Sequence, residues 1–547
     1  MDLMKNFVYQ IYIKSFNDSN GDGIGDLNGI CEKVSYLKEL GVDYIWITPF
    51  YKSPLNDNGY DISNYYEIHE DFGTFEDFDN LVKECDKYGI KIMIDMVFNH
   101  TSTEHEWFKK AMNGDEKYKD FYIFRKGVNG KPPTNWASKF GGSAWEYVEK
   151  FDEYYLHLFD VTQGDLNWDN KEVREEIYKV VDFWKNKGVK GFRFDVVNLI
   201  SKPEVFEDDF EGDGRRFYTD GPNIHKYLKE LSSRFPEDTD FITVGEMSST
   251  SLDNLIKYSN PKEKELSMVF NFHHLKVDYK NGDKWTLMDF DFMELKRIFK
   301  YFQYGMKNGG GVSALFYSNH DQPRVLSRFG DDEKFHNKSG KMLLTSVNLM
   351  RGVPYIYQGE EIGMTNAYFS KIEDYRDVES LNYYEILKKE GHKEEEILKI
   401  LRSKSRDNGR TPMQWNNKEN SGFTTGIPWI NVCKNYKEIN AESQINDENS
   451  IFNYTKNLIS LRKNHSAFIN GDIEFIFEEH NKIFSYIRKN DEEKILVICN
   501  FYGENEKITL ENIIIKDVKK IFGNYDSFDI INNEIVVRPY EAMVLLI

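Results

Sequence analysis

What the chain lacks narrows its function first. It has no run of eighteen apolar residues, so no segment reads as a membrane-spanning helix. The N-terminal stretch "MDLMKNFVYQIYIK" has neither the basic start nor the apolar middle of a secretion signal. Cysteine is scarce. Cys31, Cys85, Cys433 and Cys499 are scattered and form no C-x-x-C pair, which predicts free thiols in a reducing compartment. Positive charge is in deficit, with 71 Lys and Arg against 91 Asp and Glu, a formal net charge of −20. That balance argues against a nucleic-acid partner. Internal repeats and low-complexity segments are absent too. These absences together predict a cytoplasmic protein with neither a membrane nor a nucleic acid as partner.

What is present fits a large globular protein. The 547 residues are 40% hydrophobic and 15% aromatic, too long for one ordinary domain and rich enough for a sizeable core. Short apolar runs recur: "FVYQIYI", "YIWIT", "IKIMIDM", "GFRFD", "FITVGE", "SMVFNF", "SALFYSN" and "VPYIYQG". Amphipathic stretches at 75–89, 171–188, 222–234, 291–306 and 338–351 separate several of them. Strands alternating with helices imply a parallel sheet covered on both faces, and eight strands imply a closed (β/α)₈ barrel. Residues 101–167, rich in Gly, Pro, Trp and Asn, are too long for a bare loop and are expected to form a small inserted domain after the third strand. The barrel is then expected over 1–100 and 168–464. From 465 to 547 the pattern turns to alternation, as in "IFSYIRK" and "KILVICNFY", predicting a C-terminal antiparallel β-sandwich domain.

Acids fall where such barrels do their chemistry, at the C-terminal ends of strands. Asp195 ends "GFRFD", Glu246 ends "FITVGE", and Asp321 follows the seventh strand in "SNHDQPR". Asp95 lies in "DMVFNH", with His100 a few residues on. Any one of these could simply cap a helix. Four acids and two histidines at neighbouring strand ends are hard to explain that way. Arg193 lies two residues before Asp195 and so shares its face of the strand. A guanidinium there would keep Asp195 ionised, as a nucleophile requires.

The stretches "DMVFNH", "GFRFDVVN", "VGEM" and "SNHDQ" resemble, in order, the four motifs of the α-amylase superfamily of retaining glycoside hydrolases. The resemblance runs through nearly the whole chain. It implies that Asp195 is the nucleophile, Glu246 the general acid/base and Asp321 the stabiliser of the transition state. It also implies that His100 and His320 bond sugar hydroxyls. Asp321, a like charge near Glu246, is expected to raise the proton affinity of the acid. The motif closing the inserted domain reads "QGDLN" where the family has Q-P-D-L-N. Gln163 is kept, and glycine in place of proline is expected to loosen the loop.

"NGYDISNY" and "SRDNGRTPMQW" resemble the exo-acting glucosidase branch. There Asp61 and Arg410 would hold the 4-hydroxyl of a terminal glucose and Tyr60 would stack on it. Val196, after the nucleophile, goes in that branch with α-1,6-glucosidases and their relatives. Two substrate classes remain: isomaltose-type sugars, as for an oligo-1,6-glucosidase, and a phosphorylated disaccharide. A catalytically dead barrel of the transporter-subunit type is disfavoured by the intact acids. The stretch "NFHHLKVDYKNGDKWT" (271–286) gathers two histidines and three lysines in an acidic chain. Together with "GDGRRFYTDGP", "GEEIGMTN" and "DYRDVESLN" it resembles the branch acting on the phosphorylated disaccharide. Ammonium groups suit a phosphate. Lys284 and Lys276 are therefore the expected phosphate ligands, with His274 weaker and Lys280 left in solvent.

"DSNGDGIGD" (18–26) begins like a calcium-binding loop but lacks its twelfth-position glutamate. An Asx/Gly turn is the plain alternative. Related glucosidases carry a structural Ca²⁺ in the matching loop, which implies Asp18, Asn20, Asp22, the Ile24 carbonyl and Asp26 as ligands. No catalytic cofactor is implied.

Overall fold

The structure, a computed structural model, describes residues 3–235, 241–510, 518–527, 530–531 and 533–547. Eight parallel strands close into a barrel in sequence order: β1 (Val8–Ile11), β2 (Tyr44–Ile47), β3 (Lys91–Val97), β4 (Gly191–Asp195), β5 (Ile242–Met247), β6 (Met268–Asn271), β7 (Ser313–Leu315) and β8 (Val353–Tyr357). Each coincides with one of the eight apolar runs. β1, β2, β4 and β8 are buried along their whole length, because helices cover the outside and side chains fill the inside. That is why these strands carry unbroken apolar runs and show no alternation.

The helices between them start where the sequence supplies caps. Thr74 and Asp77 form a capping box at Phe75–Tyr88, Asn170 caps Lys171–Asn186, and Asp291 caps Phe292–Gly309. Each buries one apolar stripe against the barrel.

The barrel interior holds its own core. Trp46, Phe270 and Tyr355 meet ring to ring, with Trp46 and Phe270 centroids 5.6 Å apart and Phe270 and Tyr355 centroids 4.7 Å apart. This aromatic plug lies behind the acids: the Arg193 guanidinium stands 5.1 Å from the Trp46 ring. Trp46 Nε1 donates to Asp95 Oδ2 at 3.1 Å, so apolar packing and the first carboxylate are tied directly.

Between β3 and β4 the chain leaves the barrel. It forms a three-stranded antiparallel sheet of Phe124–Arg125, Glu153–Leu156 and Trp145–Val148, and returns as Gln163–Asp165 paired antiparallel with His100–Ser102. Gly164 lies in that return strand, and a Cβ there would stand 2.9 Å from the Phe108 ring. Packing leaves no room for a side chain at this position. After β8 a largely helical stretch leads to the C-terminal antiparallel sheet, in which Ile483–Lys489 pairs with Asp472–Ile476 on one side and Lys494–Asn500 on the other. The barrel with a C-terminal antiparallel domain is the architecture the sequence implied. Among the described residues no helix is long and apolar enough to cross a membrane.

Candidate active site

Adjacent strands deliver the acids to one place. Asp95 on β3 and Arg193 on β4 are register partners, so both face the barrel interior. Arg193 Nη1 donates to Asp95 Oδ1 and to Asp195 Oδ1, each at 2.7 Å, and its Nη2 contacts Glu246 Oε2. From the sequence Arg193 was expected to serve Asp195. In the structure it holds three carboxylates, and it is 1% exposed. Burial pushes the Asp95 carboxyl up to about 7, against the pull of Arg193 and with the repulsion of Asp195. Tyr60 Oη donates to the same carboxylate at 2.9 Å. Asp95 is thus a buried acid joined through Arg193 to Asp195 and Glu246.

Just past Asp195 the backbone turns sharply. Val196 has φ 34° and ψ 40°, a left-handed conformation that costs a β-branched residue about 1–3 kcal/mol. The turn puts Val196 in the pocket wall beside Asp195.

Asp321 arrives from the loop after β7. His320 Nε2 lies 3.3 Å from Asp321 Oδ2, Arg406 Nη1 3.1 Å and Arg410 Nη2 2.8 Å from Oδ1. Burial acts to raise the Asp321 pKa, but His320, Arg406, Arg410 and Arg193 outweigh it and hold the carboxyl well below the usual range. Asp321 is therefore a fixed anion. His320 is fully buried, its Nδ1 2.7 Å from Gln10 Nε2, and burial lowers its pKa to about 3. It stands behind the wall, with Tyr60 stacked on it at 5.1 Å.

These groups frame a pocket of about 300 Å³. Asp195, Glu246, Asp321, Tyr60, His100, Lys276 and Lys284, all singled out on sequence, line it. Gln163, Arg193, His320 and Arg410 stand one layer back. Gln163 Nε2 bridges Asp57 Oδ2 at 3.1 Å and His100 Nε2 at 3.2 Å.

Asp61 is placed differently from its sequence role. Its carboxylate accepts from Ser53 Oγ, Asn56 N and Asp57 N, so it folds the loop on itself and does not line the pocket. Asp57, four residues earlier, takes the wall position, 3.3 Å from Arg406 Nη2. Burial raises its pKa to about 7, against Arg406 and Arg410. Nothing in "NDNGYD" itself distinguishes its two acids.

The basic cluster divides. His274 turns away from the pocket and packs on Phe299 and Phe316, its Nε2 bonded to the Phe316 carbonyl at 2.8 Å. Lys280 is exposed. Lys284 Nζ donates to Glu379 Oε2 at 2.6 Å. Lys276 has no ion-pair partner among the described residues. Two further cations, unnoticed in the sequence, share its side of the pocket: Lys139 from the inserted segment and Arg215 from the loop after β4. Lys139 Nζ lies 3.5 Å from Ser248 Oγ, two residues beyond Glu246. Burial and the charges of Arg215 and Lys276 lower its pKa to about 7.

The 18–26 loop closes through backbone contacts. Asp18 Oδ1 accepts from Asn20 N and Gly21 N, Asp22 Oδ1 from Ile24 N, and Asn20 Oδ1 from Asp22 N. Asp26 caps the helix Leu27–Glu32 through Gly29 N and also takes Ser19 N and Oγ. The donor set of two carboxylates, an amide oxygen and a carbonyl is hard-oxygen chemistry of the calcium kind. Among the described residues no group of three or more His, Cys, Asp or Glu is gathered to hold a metal.

Comparison with known proteins agrees in sequence and shape. Residues 10–471 match the alpha amylase catalytic domain, and 483–544 the alpha-amylase SusG C-terminal domain. The chain is 54% identical to the trehalose-6-phosphate hydrolase of Bacillus subtilis (strain 168), over 99% of this chain and 97% of that one. It is 48% identical to the oligo-1,6-glucosidase of Bacillus cereus, over 99% and 98%. The crystal structure of Bacillus licheniformis trehalose-6-phosphate hydrolase superposes with a TM-score of 0.95 at 54% identity, covering 100% of this chain and 99% of that one.

Proposed function

The chain belongs to the α-amylase family of glycoside hydrolases, and within it we propose that the protein hydrolyses trehalose 6-phosphate to glucose and glucose 6-phosphate, with retention at the glucose carbon. One observation carries the reading: a pocket floored by Asp195, Glu246 and Asp321 has Lys276, Lys284, Arg215 and Lys139 in its walls. An acid floor suits a glycosyl cation. A cationic wall suits a phosphate on the neighbouring sugar. The identity to trehalose-6-phosphate hydrolases supports the same substrate.

In this reading Asp195 attacks the glucose carbon while Glu246 gives its proton to the departing oxygen of glucose 6-phosphate. Water, deprotonated by Glu246, then releases glucose from Asp195. Two carboxylates gripped by one guanidinium fit the short spacing of retaining enzymes, roughly 5–5.5 Å, better than the wider inverting one. Asp321, held ionised, would stabilise positive charge at the sugar ring. Asp57 replaces Asp61 as the acid facing the glucose hydroxyls, with Arg406 and Arg410 fixing it and Asp321. Phosphate recognition is assigned to Lys276 and Lys284, joined by Arg215 and Lys139. Lys284 must share its bond to Glu379 with the phosphate.

A cytoplasmic site follows from the substrate, since a sugar phosphate does not cross a bilayer unaided. The four free cysteines fit a reducing compartment. A structural Ca²⁺ belongs to the same reading, with Asp18, Asn20, Asp22 and the Ile24 carbonyl as its holders and Asp26 beside them.

The test is detection of glucose 6-phosphate and glucose from trehalose 6-phosphate, trehalose and isomaltose in parallel. Preference for the phosphorylated sugar by at least a hundredfold in kcat/KM is expected. Faster cleavage of isomaltose would replace this reading with an oligo-1,6-glucosidase, the alternative that Val196 leaves open.

A further inference from the structure

We propose that Asn198 is the positioning residue that sets the distance between Asp195 and Glu246. It does not itself line the pocket. The inference rests on the roles of nucleophile and acid/base given to those two acids above, and adds the side chain that holds them in register.

The pairing of the two strands stops just short of the acids. β4 and β5 run side by side from Gly191 and Ile242 up to Phe194 and Gly245. Asp195 and Glu246 are each the next residue. Beyond them both chains turn. Val196 is left-handed, and so is Ser249, with φ 55°. Such conformations persist in a non-glycine residue only where surrounding contacts hold them.

One side chain joins the two turns. Asn198 lies three residues after Asp195, in the turn Val197–Leu199, and is fully buried. Its Oδ1 accepts from Ser248 N at 2.9 Å, and its Nδ2 donates to Ser248 O at 2.9 Å. Ser248 follows Glu246 by two residues, so a single amide grips both backbone groups where the acid/base strand ends. Nδ2 also donates to Asp220 Oδ1 at 3.0 Å, and Asp220 N returns to the Asn198 carbonyl at 2.9 Å. Asp220 in turn accepts from Tyr258 Oη and Thr250 Oγ1, each at 2.6 Å, and from Asn254 Nδ2 at 2.9 Å. The grip is thereby tied to the helix Leu252–Ser259 that follows β5. A Cβ on Gly245 would stand 3.2 Å from Val197 Cγ1, so the turn also packs directly on β5.

The consequence is geometric. Retention needs the two carboxyl groups roughly 5–5.5 Å apart. Proton donation by Glu246 works only within hydrogen-bond reach of the departing oxygen. A misplacement of about 1 Å can cost about 10²-fold in rate. Loss of the Asn198 amide frees both backbone groups of Ser248, so the change falls on the acid/base.

The experiment compares the wild-type protein with Asn198→Ala, Asn198→Asp, Asp220→Asn and the double variant Asn198→Asp/Asp220→Asn. Substrates are trehalose 6-phosphate and aryl α-glucosides of graded phenol acidity, and kcat/KM is normalised to active sites counted by covalent trapping. In Asn198→Ala, kcat/KM should fall about thirtyfold or more for trehalose 6-phosphate and the least acidic phenol, but less than about fivefold for the most acidic phenol, which needs little acid help. The leaving-group dependence therefore steepens, which a merely structural loss would not produce. Asn198→Asp sets a carboxylate against Asp220 and should lose as much. Adding Asp220→Asn should return about fivefold or more of that loss. Asp220→Asn alone keeps the packing, should steepen the dependence less, and carries the test if Asn198→Ala fails to fold. A leaving-group dependence unchanged in the folded variants, or no recovery in the double variant, overturns the proposal. If the wild-type protein cleaves the aryl glucosides but not trehalose 6-phosphate, the substrate reading falls and the aryl series still decides the role of Asn198. If it cleaves neither, the hydrolase reading falls and this inference with it.

Discussion

Arg193 Nη1 donates to Asp195 Oδ1 at 2.7 Å although only Phe194 separates the two along β4. The contact joins residues two apart on one strand face, and the same nitrogen reaches Asp95 at 2.7 Å. Removing the guanidinium leaves buried carboxylates facing one another. Arg193→Gln is expected to lower kcat on an aryl α-glucoside about 10²–10³-fold, by loss of preorganised charge, and to lower the melting temperature. Loss of the cation that pulls Asp95 down should also move the apparent pKa values of the pH–rate profile upward. An unchanged profile would separate Arg193 from the acids.

Glu246 is expected to act twice, as acid and then as base. With an activated aryl leaving group the first step needs little acid help, but the second still needs a base. Glu246→Gln should therefore accumulate protein heavier by one glucosyl residue, visible by intact mass, and azide should restore turnover. Asp195→Asn should show no such adduct.

Asp57 and Asp61 separate by function. Asp57→Ala should raise KM for both neutral and phosphorylated glucosides at least tenfold, because its carboxylate lines the pocket. Asp61→Ala should act mainly on the melting temperature, since its carboxylate receives Ser53, Asn56 and Asp57. Net hydrogen bonds to a charged group contribute about 1.5–3 kcal/mol each. The reverse pattern would return the sugar-facing role to Asp61.

The barrel was legible because each of its eight strands is a short apolar run ending near a polar residue, as "GFRFD" ends in Asp195. A buried parallel strand has no polar face to blur the signal. The acids were legible for the same reason, being charges at the ends of such runs. Side-chain direction in loops was not legible. "NDNGYD" offers two aspartates, and only the hydrogen bonds of Asp61 show that it turns inward on its own loop. Nor were Lys139 and Arg215. Their segments are 137 and 61 residues from Lys276 in the chain, and only folding brings them to one wall. His274 misled because adjacency to His273 and Lys276 says nothing about which side of a short turn each occupies.

His274 provides a pH test away from the chemistry. Burial lowers its pKa to about 3 in the folded state, from an ordinary 6.5. The unfolded chain therefore binds the proton first as pH falls. The stability from the neutral ring is complete above pH 6.5 and is lost progressively between pH 6.5 and about 3. At pH 4.5 the loss is roughly 2–3 kcal/mol. His274→Gln should flatten this acid-side fall in melting temperature, whatever it does at pH 7.

The calcium reading is tested by chelation. Exhaustive removal with a chelator should lower the melting temperature by several degrees, and added Ca²⁺ should restore it. Asp22→Ala should abolish the difference. A melting temperature insensitive to chelator and Ca²⁺ would leave the 18–26 loop as an Asx/Gly turn.

Asp95, Asp195 and Glu246 share a single Arg193, while Lys276, Arg215 and Lys139 stand in the wall of the same pocket. A guest with one neutral ring and one dianionic ring meets a field that admits it in only one direction. If those cations hold the phosphate as proposed, polarity orients such a guest before any hydroxyl is recognised.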